Sequence, residues 1–215
     1  MAIFTSKIIV ALDIKDKDQA IDLTKKLAGD IFAVKVNWPL ILNAGPDIIR
    51  DLSKIAKVIC DFKIADIPYT NGLITEYAEN NGAWGIISHS FTGFESLSEV
   101  VKKSCNMKVF SVVAMSHPGS EMINRSVDEL VAISERSGVY GFVAPGNNPE
   151  ILKHIRSLTE KIIISPGIGA QGGSASTAVE NGSDYVIIGR SIYESSDPVA
   201  TVKDINDQLS DNIKY

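Results

Sequence analysis

The chain has 215 residues, 45% of them hydrophobic and 22% charged, with a formal net charge of −5. That length and apolar content suffice for one large α/β domain or two small ones, each with a sizeable core. The acidic balance argues against a nucleic-acid or anionic-membrane partner, which needs a basic face, but leaves room for an anionic small molecule held by a local positive site. Two cysteines, Cys60 and Cys105, make no disulfide framework, and Cys60, inside a strand pattern, reads as a buried reduced thiol. No signal-peptide pattern opens the chain and no apolar run reaches membrane-spanning length, so a soluble cytoplasmic protein is expected.

In chain order, Lys7–Asp13 reads as the first strand and Asp16–Leu27 as a helix with Ala20, Ile21, Leu23 and Leu27 as its apolar stripe. Ile31–Val36 and Lys57–Lys63 are the second and third strands, followed by a helix over Ile67–Asn80. The fourth strand is Ala83–Ser88, with Gly93–Ser104 helical, and the fifth is Lys108–Ala114. Val127–Ser137 is helical, Val139–Ala144 the sixth strand, Pro149–Leu158 a helix and Lys161–Ser165 the seventh strand. Asp184–Ile188 is the eighth, and Pro198–Leu209 a closing helix. These strands are near-continuous apolar runs, as in a parallel sheet covered on both sides. Eight of them, at intervals of roughly 25 residues and interleaved with helices, predict a (β/α)8 TIM barrel, an α/β fold. A doubly wound open sheet is the competing architecture. No low-complexity linker interrupts the pattern, so 1–215 is expected to be a single barrel catalytic domain.

Catalytic residues of such barrels stand at the C-terminal ends of strands and in the loops that follow. Asp13 ends the first strand, Lys35 lies near the end of the second, and Ser88-His89-Ser90 ends the fourth. Met115-Ser116-His117-Pro118-Gly119 follows the fifth, Pro166–Gly173 the seventh and Gly189-Arg190-Ser191 the eighth. The densest cluster is Asp61-Phe62-Lys63-Ile64-Ala65-Asp66-Ile67-Pro68-Tyr69-Thr70, with Asp61 and Lys63 on one face of a strand end. Buried carboxylates and ammonium groups persist only when paired or put to use. A structural ion pair would account for Asp61 and Lys63 alone; the second acid, Asp66, argues for use.

Glycines 167, 169, 172 and 173 let backbone amides approach an anion, and Arg190 can grip phosphate oxygens bidentately. Turns alone would account for the glycines, but Gly189-Arg190 after the next strand points to a phosphorylated small metabolite. The small, glycine-rich run Ala170–Ser176 has the composition of a mobile lid. Among the histidines, His117 reads as structural in its turn, His89 as a rim candidate and His154 as solvated, while Trp38 and Trp84 read as core or interface. No His/Cys/carboxylate cluster has ligand spacing, so no metal site is expected.

Together, Asp61-x-Lys63-x-x-Asp66-Ile67-Pro68-x-x-Thr70, Ser116-His117-Pro118-Gly119, Ser165–Gly173 and Ile188-Gly189-Arg190 resemble the orotidine 5′-phosphate decarboxylase family, in its compact archaeal form. The resemblance runs in order from Asp13 to Arg190. Asp-x-Lys-x-x-Asp is shared with sugar-phosphate decarboxylases of the same superfamily, whereas the Ile-Pro-x-x-Thr extension and the Ser-His-Pro-Gly loop are more specific. Asn37 stands where the family pattern has glycine.

The resemblance implies cofactor-free decarboxylation of orotidine 5′-monophosphate to uridine 5′-monophosphate, the last step of de novo pyrimidine nucleotide synthesis. It implies a charge array of Lys35, Asp61, Lys63 and Asp66, with Lys63 protonating C6 and Asp61 close to the departing carboxylate. By the same resemblance Asp13, Lys35 and Thr70 bind the ribose, Ser116 the pyrimidine edge, and Gly189 and Arg190 the phosphate. Gln171 bridges base and phosphate, and Pro166 completes the substrate-binding set. It also implies a homodimer in which Asp66 and Thr70 cross the interface, with no nucleic-acid or membrane partner. Two alternatives stay open. A Mg²⁺-dependent decarboxylase of a 3-keto-sugar phosphate needs an extra carboxylate at the end of the second strand, where Lys35-Val36-Asn37 supplies none. A non-enzymatic phosphate-binding barrel would have no use for a lysine between two aspartates.

Overall fold

Eight short apolar runs form parallel strands: β1 (Ile8–Leu12), β2 (Ala33–Val36), β3 (Val58–Ile64), β4 (Gly85–His89), β5 (Lys108–Val112), β6 (Gly141–Val143), β7 (Ile162–Ser165) and β8 (Tyr185–Ile188). Each pairs with the next, and β8 pairs with β1 through Ile8↔Val186 to Val10↔Ile188, which closes the barrel and rules out the open sheet. The computed structural model describes residues 6–211. Residues 1–5 and 212–215, included in the expected 1–215 domain, lie outside the described residues. Among the described residues no helix is long and apolar enough to cross a membrane.

The helices are α1 (Lys17–Leu27), α2 (Trp38–Ala44), α3 (Ile48–Ser53), α4 (Pro68–Asn80), α5 (Phe94–Lys103), α6 (Glu121–Asn124), α7 (Val127–Ser137), α8 (Pro149–Leu158), α9 (Ala175–Glu180), α10 (Arg190–Tyr193) and α11 (Pro198–Asp211). Their starts follow local chemistry: Asp16 caps α1 by accepting from Gln19 N–H, Asn148 caps α8, and Pro68 and Pro149 open α4 and α8. Five short helices, α2, α3, α6, α9 and α10, lie outside the helix bounds read from the sequence. One of them corrects the lid expectation: Ala175 and Ser176 belong to α9, with Ala175 buried and Ser174 as the cap.

Side-chain alternation along the strands separates two cores. Ile9, Ala11, Ala33, Ile59, Ile87, Phe110, Val112, Val143, Ile164 and Ile187 point inward and fill the barrel. Residues one step out of phase, such as Ile8, Val10, Leu12, Val34, Val36, Val58 and Cys60, pack between strands and helices. The inward rows do not stop at the apolar plug. Two residues beyond Ala11 comes Asp13, two beyond Ala33 comes Lys35, and beyond Ile59 come Asp61 and then Lys63. Period two thus carries these charges to one rim, over a floor of aliphatic side chains.

Candidate active site

Asp61 lies at the centre of that rim. Its Oδ2 is 2.8 Å from Lys35 Nζ, and Lys63 Nζ sits 2.8 Å from Oδ1 and 2.9 Å from Oδ2. Lys35 Nζ also lies 3.9 Å from Asp13 Oδ1, so the four groups form a continuous row of alternating charge. Burial alone would raise the Asp61 carboxyl, but the two ammonium groups outweigh it and hold it below the usual carboxylate range. The two lysines differ in setting: the Lys35 side chain is 6% exposed and that of Lys63 41%. Lys63 is thus the more exposed cation of the row.

The backbone makes this placement possible. The β3–β4 register shifts between Cys60 and Ile64, and Lys63 takes a φ of 44°, the one non-glycine residue with positive φ among the described residues. Neighbouring groups anchor the peptides on both sides of it. Trp38 Nε1 donates to the Phe62 carbonyl at 3.2 Å with the two rings stacked, and Ser88 Oγ donates to the Ile64 carbonyl at 2.9 Å. A strained residue held by its surroundings at a reactive position is a recurrent feature of functional sites.

Across the rim, a cavity of about 310 Å³ is lined by Asp13, Lys35, Asp61, Lys63, Ser116, Pro166, Gln171, Gly189 and Arg190, over Ile87, Val112, Val143 and Ile187. Ser116 Oγ donates to Gln171 Oε1 at 2.9 Å, tying the loop after β5 to the loop after β7. Gly167 and Gly169 have φ of 97° and 71°, and a Cβ at Gly169 would collide with the Ser191 hydroxyl, so the loops after β7 and β8 close on each other only with glycine there. Arg190 is exposed, opens α10, and among the described residues pairs with no carboxylate. A free guanidinium beside closely packed glycine loops suits an anion.

Nine of the eleven expected site residues therefore share one cavity; Asp66 and Thr70 do not. Asp66 is exposed, its carboxylate accepting from Ile67 N–H at 2.7 Å, and Thr70 is partly buried in the first turn of α4. The histidines divide. His154 is exposed and pairs with Asp128. The His117 carbonyl accepts from Ser120 Oγ, as a turn-holding role requires, but its ring is exposed and lines the cavity. His89 continues the inward row of β4, is 7% exposed, and lies against the tilted ring of Phe91 with Nδ1 buried and without a partner among the described residues. Burial, and next the Lys63 ammonium, push its pKa down to about 4. Cys60 is a buried free thiol, as expected, and burial pushes it well up.

Two residues given no role in the sequence reading prove to be placed at the site. Asn37 Nδ2 donates to Asp13 Oδ1 at 2.7 Å. Asn147, after β6, donates to the carbonyls of Ser116 at 3.2 Å and Gln171 at 3.4 Å. The signal for Asn37 was its place two residues after Lys35 on the inward row; Asn147 sits in a Pro-Gly-Asn-Asn turn at a strand end, the position where barrels carry site residues.

Known proteins share this sequence and fold. The profile of the Orotidine 5′-phosphate decarboxylase / HUMPS family matches residues 6–205. An orotidine 5′-phosphate decarboxylase from Thermoplasma acidophilum is 55% identical over 205 residues, 95% of this chain and 96% of that protein. Its counterpart from Thermoplasma volcanium is 60% identical over 192 residues, 89% of this chain and 88% of that one. Among solved structures, orotidine 5′-monophosphate decarboxylase from Methanocaldococcus jannaschii complexed with inhibitor BMP matches with a TM-score of 0.90 at 37% identity, covering 95% of this chain and 99% of that one.

Proposed function

The chain belongs to the orotidine 5′-phosphate decarboxylase / HUMPS family, and on that premise we propose that its rim of fixed charge removes CO2 from C6 of orotidine 5′-monophosphate. The enzyme is a carboxy-lyase, and the product is uridine 5′-monophosphate, made in the last step of pyrimidine nucleotide synthesis. One observation carries the mechanistic reading: a buried carboxylate gripped by two ammonium groups at 2.8 Å, across a cavity from an unpaired arginine.

The reaction breaks the bond from C6 to the carboxylate carbon, and the electron pair stays on C6 as CO2 departs. Such a carbanion has no delocalising sink, so its stabilisation must come from charges oriented before the substrate arrives. The Lys63 ammonium is the cation placed to face C6; it stabilises the developing charge, gives its proton to C6, and recovers one from water. Asp61, held ionised between Lys35 and Lys63, lies against the substrate carboxylate, and this like-charge contact is relieved as neutral CO2 forms. Asp13 and Lys35 hold the ribose, Ser116 the pyrimidine edge beside Pro166, and Gly189 and Arg190 the phosphate. Gln171 spans base and phosphate. Phosphate binding far from C6 can then be used to close the Gln171 loop and exclude water.

The site is completed by a second copy of the chain, whose Asp66 and Thr70 reach the charge row and the ribose. Supporting this homodimer, Asp66 and Thr70 lie outside their own cavity and are flanked by exposed apolar side chains: Ile67 62%, Tyr69 73% and Leu73 50%. Residues 1–215 act as one cytoplasmic catalytic domain without nucleic-acid or membrane partners. The magnesium alternative lacks the acid it needs, since Asn37 follows β2. The reading is tested by following the fall in ultraviolet absorbance of orotidine 5′-monophosphate with purified protein in excess EDTA. Undiminished turnover is expected; a strict need for Mg²⁺ would overturn the mechanism in favour of the keto-sugar chemistry.

A further inference from the structure

Asn37 is the N-cap of α2, yet its side chain makes no capping bond. The usual role of asparagine there is to accept from an amide of the first turn. In α2 one of those amides is missing, because Pro39 occupies the second helical position. The side chain turns instead to Asp13, donating from Nδ2 to Oδ1 at 2.7 Å. The amide oxygen, Oδ1 of Asn37, is buried and has no partner among the described residues. A buried unmatched acceptor is costly, so the contact with Asp13 is what sets this orientation. A flipped amide would turn an oxygen toward the carboxylate, which fixes the assignment.

The geometry at Asp13 shows what this contact achieves. The Asp13 side chain is 42% exposed, a setting in which a carboxylate ordinarily samples several rotamers. Lys35 Nζ, at 3.9 Å, and Asn37 Nδ2, at 2.7 Å, both approach the same oxygen, Oδ1. With the Asn37 hydrogen bond and the nearest ammonium both on Oδ1, Oδ2 is left to accept from a hydroxyl in the cavity that Asp13 and Asn37 jointly line. We infer that Asn37 is a positioning residue that locks Asp13 so that Oδ2 receives the ribose diol, an assignment that rests on the ribose role of Asp13 proposed above.

The test compares affinity for uridine 5′-monophosphate and for its 2′,3′-dideoxy analogue by calorimetry, in Asn37→Gly and Asn37→Ser. Both substitutions suit an N-cap and neither reaches Asp13, and since the Asn37 side chain caps nothing, the melting temperature should fall by no more than the few degrees that one lost hydrogen bond to a carboxylate accounts for. Loss of a charge-assisted hydrogen bond should weaken uridine 5′-monophosphate roughly tenfold and leave the dideoxy analogue unchanged. In an Asp13→Ala background neither substitution should weaken the ribonucleotide further. Equal losses for both nucleotides, or a full further loss in the Asp13→Ala background, would overturn the inference. If Asp13→Ala weakens the ribonucleotide while the Asn37 variants do not, the inference alone falls. If Asp13→Ala changes nothing, the ribose reading of Asp13 falls and takes this inference with it.

Discussion

Replacing Lys63 by glycine and by alanine separates the strain in its backbone from the chemistry of its side chain. With φ at 44°, Lys63 occupies the left-handed region, which costs an L-residue about 1–2 kcal/mol. The conformation has no route to relax, because the flanking carbonyls of Phe62 and Ile64 are held by Trp38 and Ser88. Both variants lose the ammonium and its contact with Asp61, so that loss cancels between them. Glycine is freer in the unfolded chain, which returns about 0.4–1 kcal/mol of the gain. The net expectation is that Lys63→Gly is more stable than Lys63→Ala by roughly 0.5–1 kcal/mol, a rise in melting temperature of about 1–4 °C for a domain of this size. Urea unfolding of the two variants in the same buffer measures it. A glycine variant less stable than the alanine variant would show that position 63 is not strained.

Three further outcomes follow from the same site. Because the folded-state pKa of His89 is pushed down to about 4, the unfolded chain takes up its proton first, and stability is lost as pH falls from about 6.5 toward 4, by roughly 3 kcal/mol in all. His89→Gln should remove that share, seen as a smaller drop in urea midpoint between pH 7 and 4.5; an unchanged drop would mean His89 titrates normally. Arg190→Ala should weaken uridine 5′-monophosphate strongly and also lower turnover, since phosphate binding is proposed to drive closure; normal affinity would place the phosphate elsewhere. Lys63→Ala and Asp66→Asn proteins, each nearly inactive, should recover to about a quarter of wild-type activity when mixed and allowed to exchange subunits; no recovery, with exchange confirmed, would put Asp66 to work within its own subunit.

The barrel was legible because its strands are short, near-continuous apolar runs, and the helices α7 and α8 were bounded correctly by their periodicity and by Pro149. The short helices hid for identifiable reasons. In α2 the apolar stripe is blurred by Trp38 and by Leu42, which is 77% exposed, so no amphipathic period stands out. The helices α6, α9 and α10 run four to six residues, too short to show a period. At the site, strand ends put Asp13, Lys35, Asp61 and Lys63 on one rim, but a charge array was implied only by the family resemblance, with Asp66 where the structure has Asp13. The left-handed backbone at Lys63 could not, since a lysine carries no signal for positive φ. Asn37 was seen only as a departure from the family's glycine, because its partner Asp13 is twenty-four residues away along the chain. Asp66 sits three residues from Lys63 in sequence yet outside the cavity, a separation that only the turn into α4 reveals.

In the proposed mechanism Lys63 supplies the proton to C6. Lys63→Ala leaves Asp61 paired with Lys35 at 2.8 Å and leaves the phosphate loops intact, so uridine 5′-monophosphate should still bind. Turnover of orotidine 5′-monophosphate, followed by absorbance with excess EDTA, should fall by many orders of magnitude. If the variant kept even about a tenth of wild-type turnover, another group would be protonating C6 and the claim would be contradicted.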